Sequence, residues 1–153
     1  MRPGPNRELR TNPGQSLPKP EILRGRRNFE RLFKRSTLLK STSVHLRYRL
    51  YSDPEEGCAA GFVAAKRLGT AVSRNRVRRR MREVYRIHRD HMQRLFDSRR
   101  FGLHALFFAQ STDIDFHALE SEMTDLIEQL CLRLEQRYGA PVGKTGSEGN
   151  TQL

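Results

Sequence analysis

The chain has 153 residues and a formal net charge of +12, with 29 Lys and Arg against 17 Asp and Glu. Residues 1–100 carry a net charge of +17 and residues 101–153 carry −5, and this asymmetry indicates a nucleic acid or an anionic membrane as partner. A membrane-spanning role is disfavoured, because the longest apolar stretch, Phe101 to Ala109, is far below the roughly 20 residues that a spanning helix needs.

The two ends of the chain differ in composition from its middle. Residues 1–20 hold five of the seven prolines and few apolar residues, which predicts a disordered, Pro-rich basic arm. This arm lacks the apolar core of a secretory signal, so a cytoplasmic location is expected. Residues 139–153 hold four of the eleven glycines and predict a disordered Gly-rich tail. One folded domain is therefore expected over residues 21–138.

The first half of this domain predicts a helix followed by two strands. The helix is expected over residues 26–35, with Asn28 as its cap. Its apolar side chains fall at helical spacing, which is ordinarily that of a core: Phe29, Leu32 and Phe33. From Val44 to Tyr51 apolar residues alternate with basic and aromatic ones, which predicts a strand with two different faces. Turn residues at 51–57 then lead into a strand of small residues over 58–66.

The segment from Lys66 to Arg86 carries nine positive charges against one acid, Glu83. It predicts an amphipathic helix over residues 73–89, since four residues share one helical face: Val77, Met81, Val84 and His88. The polar residues form two overlapping rows, one of Arg78, Arg82 and Arg86 and one of Asn75, Arg79, Arg82 and Arg86.

Those rows are unfavourable in an isolated helix, because like charges four residues apart repel and arginines near a helix N-terminus oppose its dipole. Such a surface is expected to meet a polyanion. Arginine, whose planar fork grips phosphate, predominates over lysine. An ordinary solvated face is the alternative, which the shortage of acids disfavours. Glu83 is expected to pair with Arg79 and Arg86 rather than act as a general base.

The last third predicts a strand and a long helix. Residues 101–109 are apolar on both faces, as in an inner strand. Apolar residues from Phe116 to Leu134 recur with helical period, and either Asp113 or Asp115 is expected to cap this helix. The order helix, strand, strand, helix, strand, helix predicts an α+β sandwich with helices packed on a sheet. The two cysteines, Cys58 and Cys131, are expected to be buried thiols rather than a disulfide.

The basic segment and its surroundings resemble the signature of the bacterial ribonuclease P protein component. The hallmark Arg-Asn-Arg stands at 74–76, followed by the basic pair Arg78-Arg79 and by Arg82-Glu83. Lys66-Arg67 precede it, as do an alternating strand and a helix with two aromatics four residues apart. The resemblance covers about residues 22–135.

The resemblance implies both a fold and a function. The fold is a compact two-layer α+β sandwich with a mostly antiparallel sheet of about four strands, three helices and a left-handed βαβ crossover, against the usual preference. The fourth strand is then expected within residues 36–43. The function is that of an auxiliary subunit that binds the ribonuclease P catalytic RNA and the 5′ leader of precursor tRNA. The RNA, using magnesium, performs the endonucleolytic removal of the leader.

The resemblance also assigns site residues. Those expected to bind the catalytic RNA are Arg74, Asn75, Arg76, Arg78, Arg79, Arg82 and Arg86. Those expected to bind the leader in a central cleft are Phe29, Phe33, Arg47, Lys66 and Arg67, with at least one phenylalanine partly exposed. No catalytic or metal-binding residue, no membrane contact and no obligate protein partner is expected on this chain. Ala64-Ala65 stand where the family has a serine, so a hydroxyl contact to the leader is expected to be missing.

Other chemistry is weakly indicated by the residues. Asp113 and Asp115 could form an acidic magnesium pair, but helix capping explains them better. His88 and His91 could bind a metal, yet no third ligand is evident. A structural protein of ribosomal RNA remains the alternative function. A helix-turn-helix DNA binder is disfavoured, because that motif needs a helix where residues 58–65 predict a strand.

Overall fold

The computed structural model describes residues 21–90, 92–94 and 101–139, and its elements surround one four-stranded sheet. In chain order the elements are α1 (Arg26–Lys34), β1 (Thr37–Lys40), β2 (Val44–Tyr51), β3 (Cys58–Ala64), α2 (Ala71–His88), β4 (Gly102–Ala109) and α3 (Phe116–Tyr138). Short 3-10 turns at Pro54–Glu56 and Lys66–Leu68 flank β3. The predicted N-terminal arm lies outside the described residues, as does all of the predicted tail except Gly139.

The strand order is β1-β2-β4-β3. β1, β2 and β4 pair antiparallel, whereas β3 runs parallel to β4, so that α2 forms the crossover between these two strands. The sheet is therefore mixed. The predicted α+β class is confirmed, and so is the fourth strand, which begins at Thr37.

One face of the sheet carries the main core beneath α2 and α3. Alternate residues of β2 and β4, such as Leu46 and Phe107, point into it and are fully buried. α2 contributes Val77, Met81, Val84 and Tyr85 to this core. Each large apolar side chain buried in this way contributes about 1.5–3 kcal/mol. Among the described residues no helix has both the length and the apolarity to cross a bilayer.

The opposite face is partly covered by α1. Leu32 is fully buried there in a small cluster that includes Leu106, and Phe29 packs against it. Gly61 lies beneath this contact, where a Cβ atom would come within 2.8 Å of a Leu106 methyl group and 3.5 Å of the Phe29 ring. The missing side chain therefore allows α1 to lie close to β3.

The start of α1 differs from the prediction. Asn28 does not cap the helix but lies inside it, where its side-chain amide donates to the Arg24 carbonyl at 2.8 Å. Gly25, with a φ of 90°, is the N-cap residue, and no side chain caps this end. A residue without a Cβ adopts that φ without strain, so the turn into α1 is made by the backbone.

The other two helix starts use side-chain caps. α2 begins two residues earlier than predicted, because the Thr70 hydroxyl accepts from the Ser73 backbone N–H at 3.1 Å. Asp115 caps α3 by accepting from two backbone N–H groups at 3.0 and 3.2 Å. Cys58 and Cys131 are buried thiols, as predicted. Burial raises the pKa of Cys131 to about 12.

Replacing Leu32 by Ala tests whether the small cluster fastens α1. The substitution leaves a cavity beneath the helix, so the free energy of unfolding is expected to fall by about 2–4 kcal/mol. Lys34→Ala, on the same helix but exposed, is the matched control and is expected to change stability by less than about 0.5 kcal/mol. Urea denaturation followed by circular dichroism measures both. Equal effects of the two substitutions would contradict the role of Leu32.

Candidate nucleic-acid interface

The basic residues of α2 lie on the side of the helix that faces away from the sheet. Four of the seven that were assigned to RNA are exposed: Asn75, Arg76, Arg79 and Arg82. The other three are half-buried: Arg74, Arg78 and Arg86. We call these seven residues the arginine face. The predicted row that begins at Asn75 is the most outward part of it.

Several members of the arginine face are held by neighbours within the chain. The Arg74 guanidinium donates to the Gly69 carbonyl at 3.2 Å, and that of Arg78 donates to the Asn75 side-chain oxygen. The Arg82 guanidinium lies 5.9 Å from the centre of the Phe62 ring. These contacts orient the side chains without neutralising their charge.

The remaining three arginines of the face are Arg76, Arg79 and Arg86, and they differ in whether a carboxylate neutralises their charge. Arg86 pairs with Glu83 as predicted, whereas the expected second partner, Arg79, forms no salt bridge with any described residue. Arg76 likewise makes no ion pair or side-chain hydrogen bond within the described part of the chain. Among the described residues, Glu83 is therefore the one carboxylate in a salt bridge with the arginine face, and the positive charge of Arg76 and Arg79 is available to a polyanion.

A second candidate surface lies on the sheet face that α1 only partly covers. Lys40, His45, Phe108 and Val63 form one row across the four strands, because each pairs with the next in register. None of these four side chains is buried, whereas Leu106 and Gly61 in the adjacent row lie beneath α1. We call this uncovered strip the open row.

Phe33 and Arg47 form the wall of this strip. Phe33 lies on the last turn of α1, is 51% exposed and meets the Phe108 ring edge-on, with centroids 5.5 Å apart. The Arg47 guanidinium lies 5.6 Å from the Phe33 ring and 6.0 Å from the Phe108 ring. It also donates to the Ser36 hydroxyl at 3.2 Å. Two aromatic rings and one oriented cation thus meet at the edge of the open row, and together they form what we call the cleft.

The remaining residues assigned to the leader are placed differently. Phe29 is half-buried and packs against the small cluster under α1, as do Val63 and Phe108 of the open row. Lys66 and Arg67 are exposed in the turn just after β3, a few residues beyond Val63. The structure therefore brings Phe33 and Arg47 into contact, places the basic pair just after the end of β3, and leaves Phe29 half-buried against the cluster under α1.

Phe108 was not identified from the sequence. The stretch 101–109 is apolar on both faces, so periodicity could not tell a cleft residue from a core residue. Because successive side chains of a strand point to opposite faces, Phe108 lies on the face opposite that of the buried Phe107. The position of α1 on the Phe108 face then determines which of its side chains stay uncovered. His45 was also missed. Burial, aided by the charges of Lys40 and Arg47, lowers the pKa of His45 and favours its neutral form.

A charged network fastens α1 beside the cleft. The Arg31 guanidinium donates two hydrogen bonds to the Glu56 carboxylate, at 3.1 and 2.8 Å, and lies 4.7 Å from the Tyr51 ring centre. Arg49 donates to the Arg31 carbonyl at 3.0 Å. The hydrogen bond from Arg31 lowers the pKa of Glu56. The network thus ties α1 to the turn before β3 and to β2.

The described residues offer no cluster of three or more His, Cys, Asp or Glu side chains that could hold a metal ion. His88 lies 3.1 Å from the Glu120 carboxylate, and His91 is outside the described residues. Asp115 caps α3, the role that was favoured over magnesium binding.

Comparison with known proteins gives consistent matches. A family model described as Ribonuclease P matches residues 17–131. The ribonuclease P protein component of Chloroflexus aggregans is 36% identical over 80 residues, covering 50% of this chain and only 54% of that protein. That of Dictyoglomus thermophilum is 30% identical over 128 residues, covering 79% and 97%.

Solved structures show the same fold. The ribonuclease P protein of Staphylococcus aureus has a TM-score of 0.57 at 17% identity, covering 75% of this chain and 92% of that one. That of Thermotoga maritima has a TM-score of 0.53 at 21% identity, covering 71% and 96%. At these identities the structural likeness supports the fold alone.

The pairing of Glu56 with Arg31 predicts a pH dependence of stability. Because the folded-state pKa of Glu56 is lowered, its contribution is present above the unfolded-state pKa and is lost as pH falls through the folded-state pKa. Glu56→Gln is therefore expected to lower stability at neutral pH and to flatten its loss between about pH 5 and pH 3. Urea midpoints across that range, compared with an exposed control, Glu55→Gln, measure the effect. A Glu56→Gln profile parallel to that of the wild type would contradict it.

Proposed function

The chain belongs to the ribonuclease P protein family, and we propose that it is the RNA-binding subunit of a ribonuclease P that matures tRNA 5′ ends. In this proposal the arginine face binds the catalytic RNA and the cleft binds the 5′ leader of precursor tRNA. The observation that carries the proposal is the presence of these two surfaces on one small fold: an arginine array with one salt-bridged carboxylate among the described residues, and a partly uncovered aromatic strip beside α1.

The arginine face suits a folded RNA. Folded RNA presents phosphates in fixed relative positions, and an arginine array reads phosphates and shape rather than bases. α2 is a rigid helix anchored by four buried side chains, so its guanidinium groups keep a fixed spacing. Arg76 and Arg79 have no competing carboxylate among the described residues, which supports them as the principal phosphate contacts.

The cleft suits single-stranded RNA. Unpaired bases stack on aromatic rings, each contributing about 1–3 kcal/mol, and stacking needs a ring face or edge that is open to solvent. Phe33 is half exposed and Phe108 is partly exposed, and the Arg47 guanidinium lies beside both rings as a cation for the backbone or a further stacking plane. Lys66 and Arg67 would extend the basic rim towards α2.

In the proposed enzyme this chain supplies no hydrolytic group. Magnesium, held mainly by the RNA subunit, supplies the chemistry of phosphodiester hydrolysis. The arginines of the protein neutralise RNA phosphates that would otherwise be neutralised by metal ions. The catalytic RNA is therefore expected to cleave its substrate at modest magnesium concentrations. A structural protein of ribosomal RNA would account for the arginine face but not for an open aromatic cleft.

The first test replaces Arg76 and Arg79 together by Ala. Losing two phosphate contacts is expected to weaken assembly with a bacterial ribonuclease P RNA and to reduce the slope of log affinity against log salt by about 1.4–1.8. The matched control is Arg26→Ala with Arg27→Ala, which removes the same charge from exposed positions of α1. Filter-binding titrations over a range of salt concentrations measure both. An unchanged slope in the α2 variant would refute the assignment of this face.

The second test replaces Phe33 by Ala. Losing one stacking platform is expected to weaken binding of precursor tRNA to the holoenzyme by about 1–3 kcal/mol and to leave mature tRNA unaffected. Phe29→Ala is the control, because that ring packs under α1 and should affect stability rather than leader discrimination. Equal losses for precursor and mature tRNA in the Phe33 variant would argue against leader binding by the cleft.

A further inference from the structure

A basic groove, separate from the arginine face and from the cleft, lies where α1 leads into β1. It faces the C-terminal half of α3. Its volume is about 850 Å³. Four arginines line it, Arg35, Arg49, Arg133 and Arg137, together with the hydroxyl groups of Ser36 and Ser52. Within the described part of the chain its lining contains no carboxylate.

The groove follows from unequal strand lengths. β1 pairs only with residues 45–48 of β2, so β2 continues for three more residues, to Tyr51, without a partner on that edge among the described residues. This leaves a gap at the corner of the sheet. The connection from α1, with Arg35 and Ser36, borders the gap on one side, and α3 borders it on the other.

The positive charge of this groove does not simply reflect the high overall content of basic residues in the chain. Residues 101–139 are acidic overall, and their only two basic residues other than histidine, Arg133 and Arg137, both line the groove. They lie four residues apart, a spacing at which like charges repel. The helix dipole favours cations near the end of α3, but it does not explain why they face Arg35 and Arg49 from other elements.

None of the salt bridges among the described residues involves these four arginines, although the charge of Arg49 helps to lower the pKa of the Glu56 carboxyl group. Arg49 is oriented by its hydrogen bond to the Arg31 carbonyl, at 3.0 Å, and by the Tyr51 ring. Arg133 and Arg35 make no side-chain contact of this kind with described residues. Arg35, Arg133 and Arg137 thus border one groove without a salt-bridge partner among the described residues, an arrangement that suits the binding of phosphate groups.

The groove adjoins the cleft. Ser36, which lines the groove, accepts a hydrogen bond at 3.2 Å from Arg47, which lies beside the aromatic rings of the cleft. α2, by contrast, packs on β3, the strand at the opposite edge of the sheet from β1. An RNA strand that leaves the cleft past Phe33 therefore reaches this groove without crossing the arginine face.

We propose that the groove binds the backbone phosphates of the part of the single-stranded leader that extends beyond the cleft. This inference rests on the proposed function, since it requires a leader in the cleft. The lining offers guanidinium and hydroxyl donors, and its one aromatic ring, Tyr48, is buried, so the contacts fall on phosphates rather than bases. The groove therefore responds to leader length and not to leader sequence.

The test uses the full chain assembled with a bacterial ribonuclease P RNA and precursor tRNAs with leaders of about 4 or about 16 nucleotides, which bracket common single-strand site sizes. The variant is Arg133→Gln with Arg137→Gln, and Arg35→Gln provides a second variant on another element. Arg26→Gln with Arg27→Gln is the charge-matched control. Thermal melting of each free protein checks that the variants are folded.

The double variant is expected to bind the long-leader precursor about 25-fold more weakly at about 0.1 M salt, roughly fivefold for each lost phosphate contact. It should bind the short-leader precursor and mature tRNA like the wild type. Arg35→Gln should show the same selectivity with about a fivefold loss. Wild-type affinity for the long leader, or equal losses on all three RNAs, would overturn the proposal. A wild-type holoenzyme that does not distinguish precursor from mature tRNA would instead overturn the leader-binding function on which it rests.

Discussion

The packing of a short helix against one face of the sheet determines which side chains of that face stay open to a ligand. α1 has nine residues and is therefore about 13 Å long, too short to cover the whole face. It lies close to β3 because Gly61 has no side chain beneath it, and Leu32 seals the contact. The rows under the helix become core, and the next row stays open. Since Phe33 lies on the last turn of α1, it falls at this boundary and is half exposed.

The arginines of the chain divide into those that hold the fold and those that are left for a partner. Arg31 forms a salt bridge with Glu56, and Arg89 forms one with Glu21, so the charges of these two arginines are neutralised within the protein. Among the described residues, the salt bridge of the arginine face joins Glu83 to the half-buried Arg86, and no salt bridge involves the four arginines of the corner groove. A paired guanidinium projects little potential, whereas an unpaired cluster attracts anions. The distribution of carboxylates, rather than of arginines, therefore marks the candidate RNA surfaces.

The sequence predicted the elements well and the surfaces less well. The alternation of β2 and the helical period of α3 fix which side chains are buried, because both depend only on local geometry. Phe29 and Phe33 have equivalent helical spacing, yet one packs against the small cluster and the other stays exposed, a difference set by the length of α1 and the register of the sheet. Phe108 and the convergence of Arg35 with Arg133 depend on contacts distant in sequence, which no local pattern encodes.

The self-repulsion of α2 raises the question of why the helix forms without RNA. Its arginines make several like-charge pairs four residues apart, each costing about 0.2–0.5 kcal/mol. Burial of Val77, Met81, Val84 and Tyr85 contributes about 1.5–3 kcal/mol for each side chain, and the Thr70 cap adds about 1 kcal/mol. Burial therefore exceeds repulsion severalfold, and the array is rigid before any partner arrives. Binding RNA then relieves repulsion without having to order the backbone, so little of the gain is lost to conformational entropy.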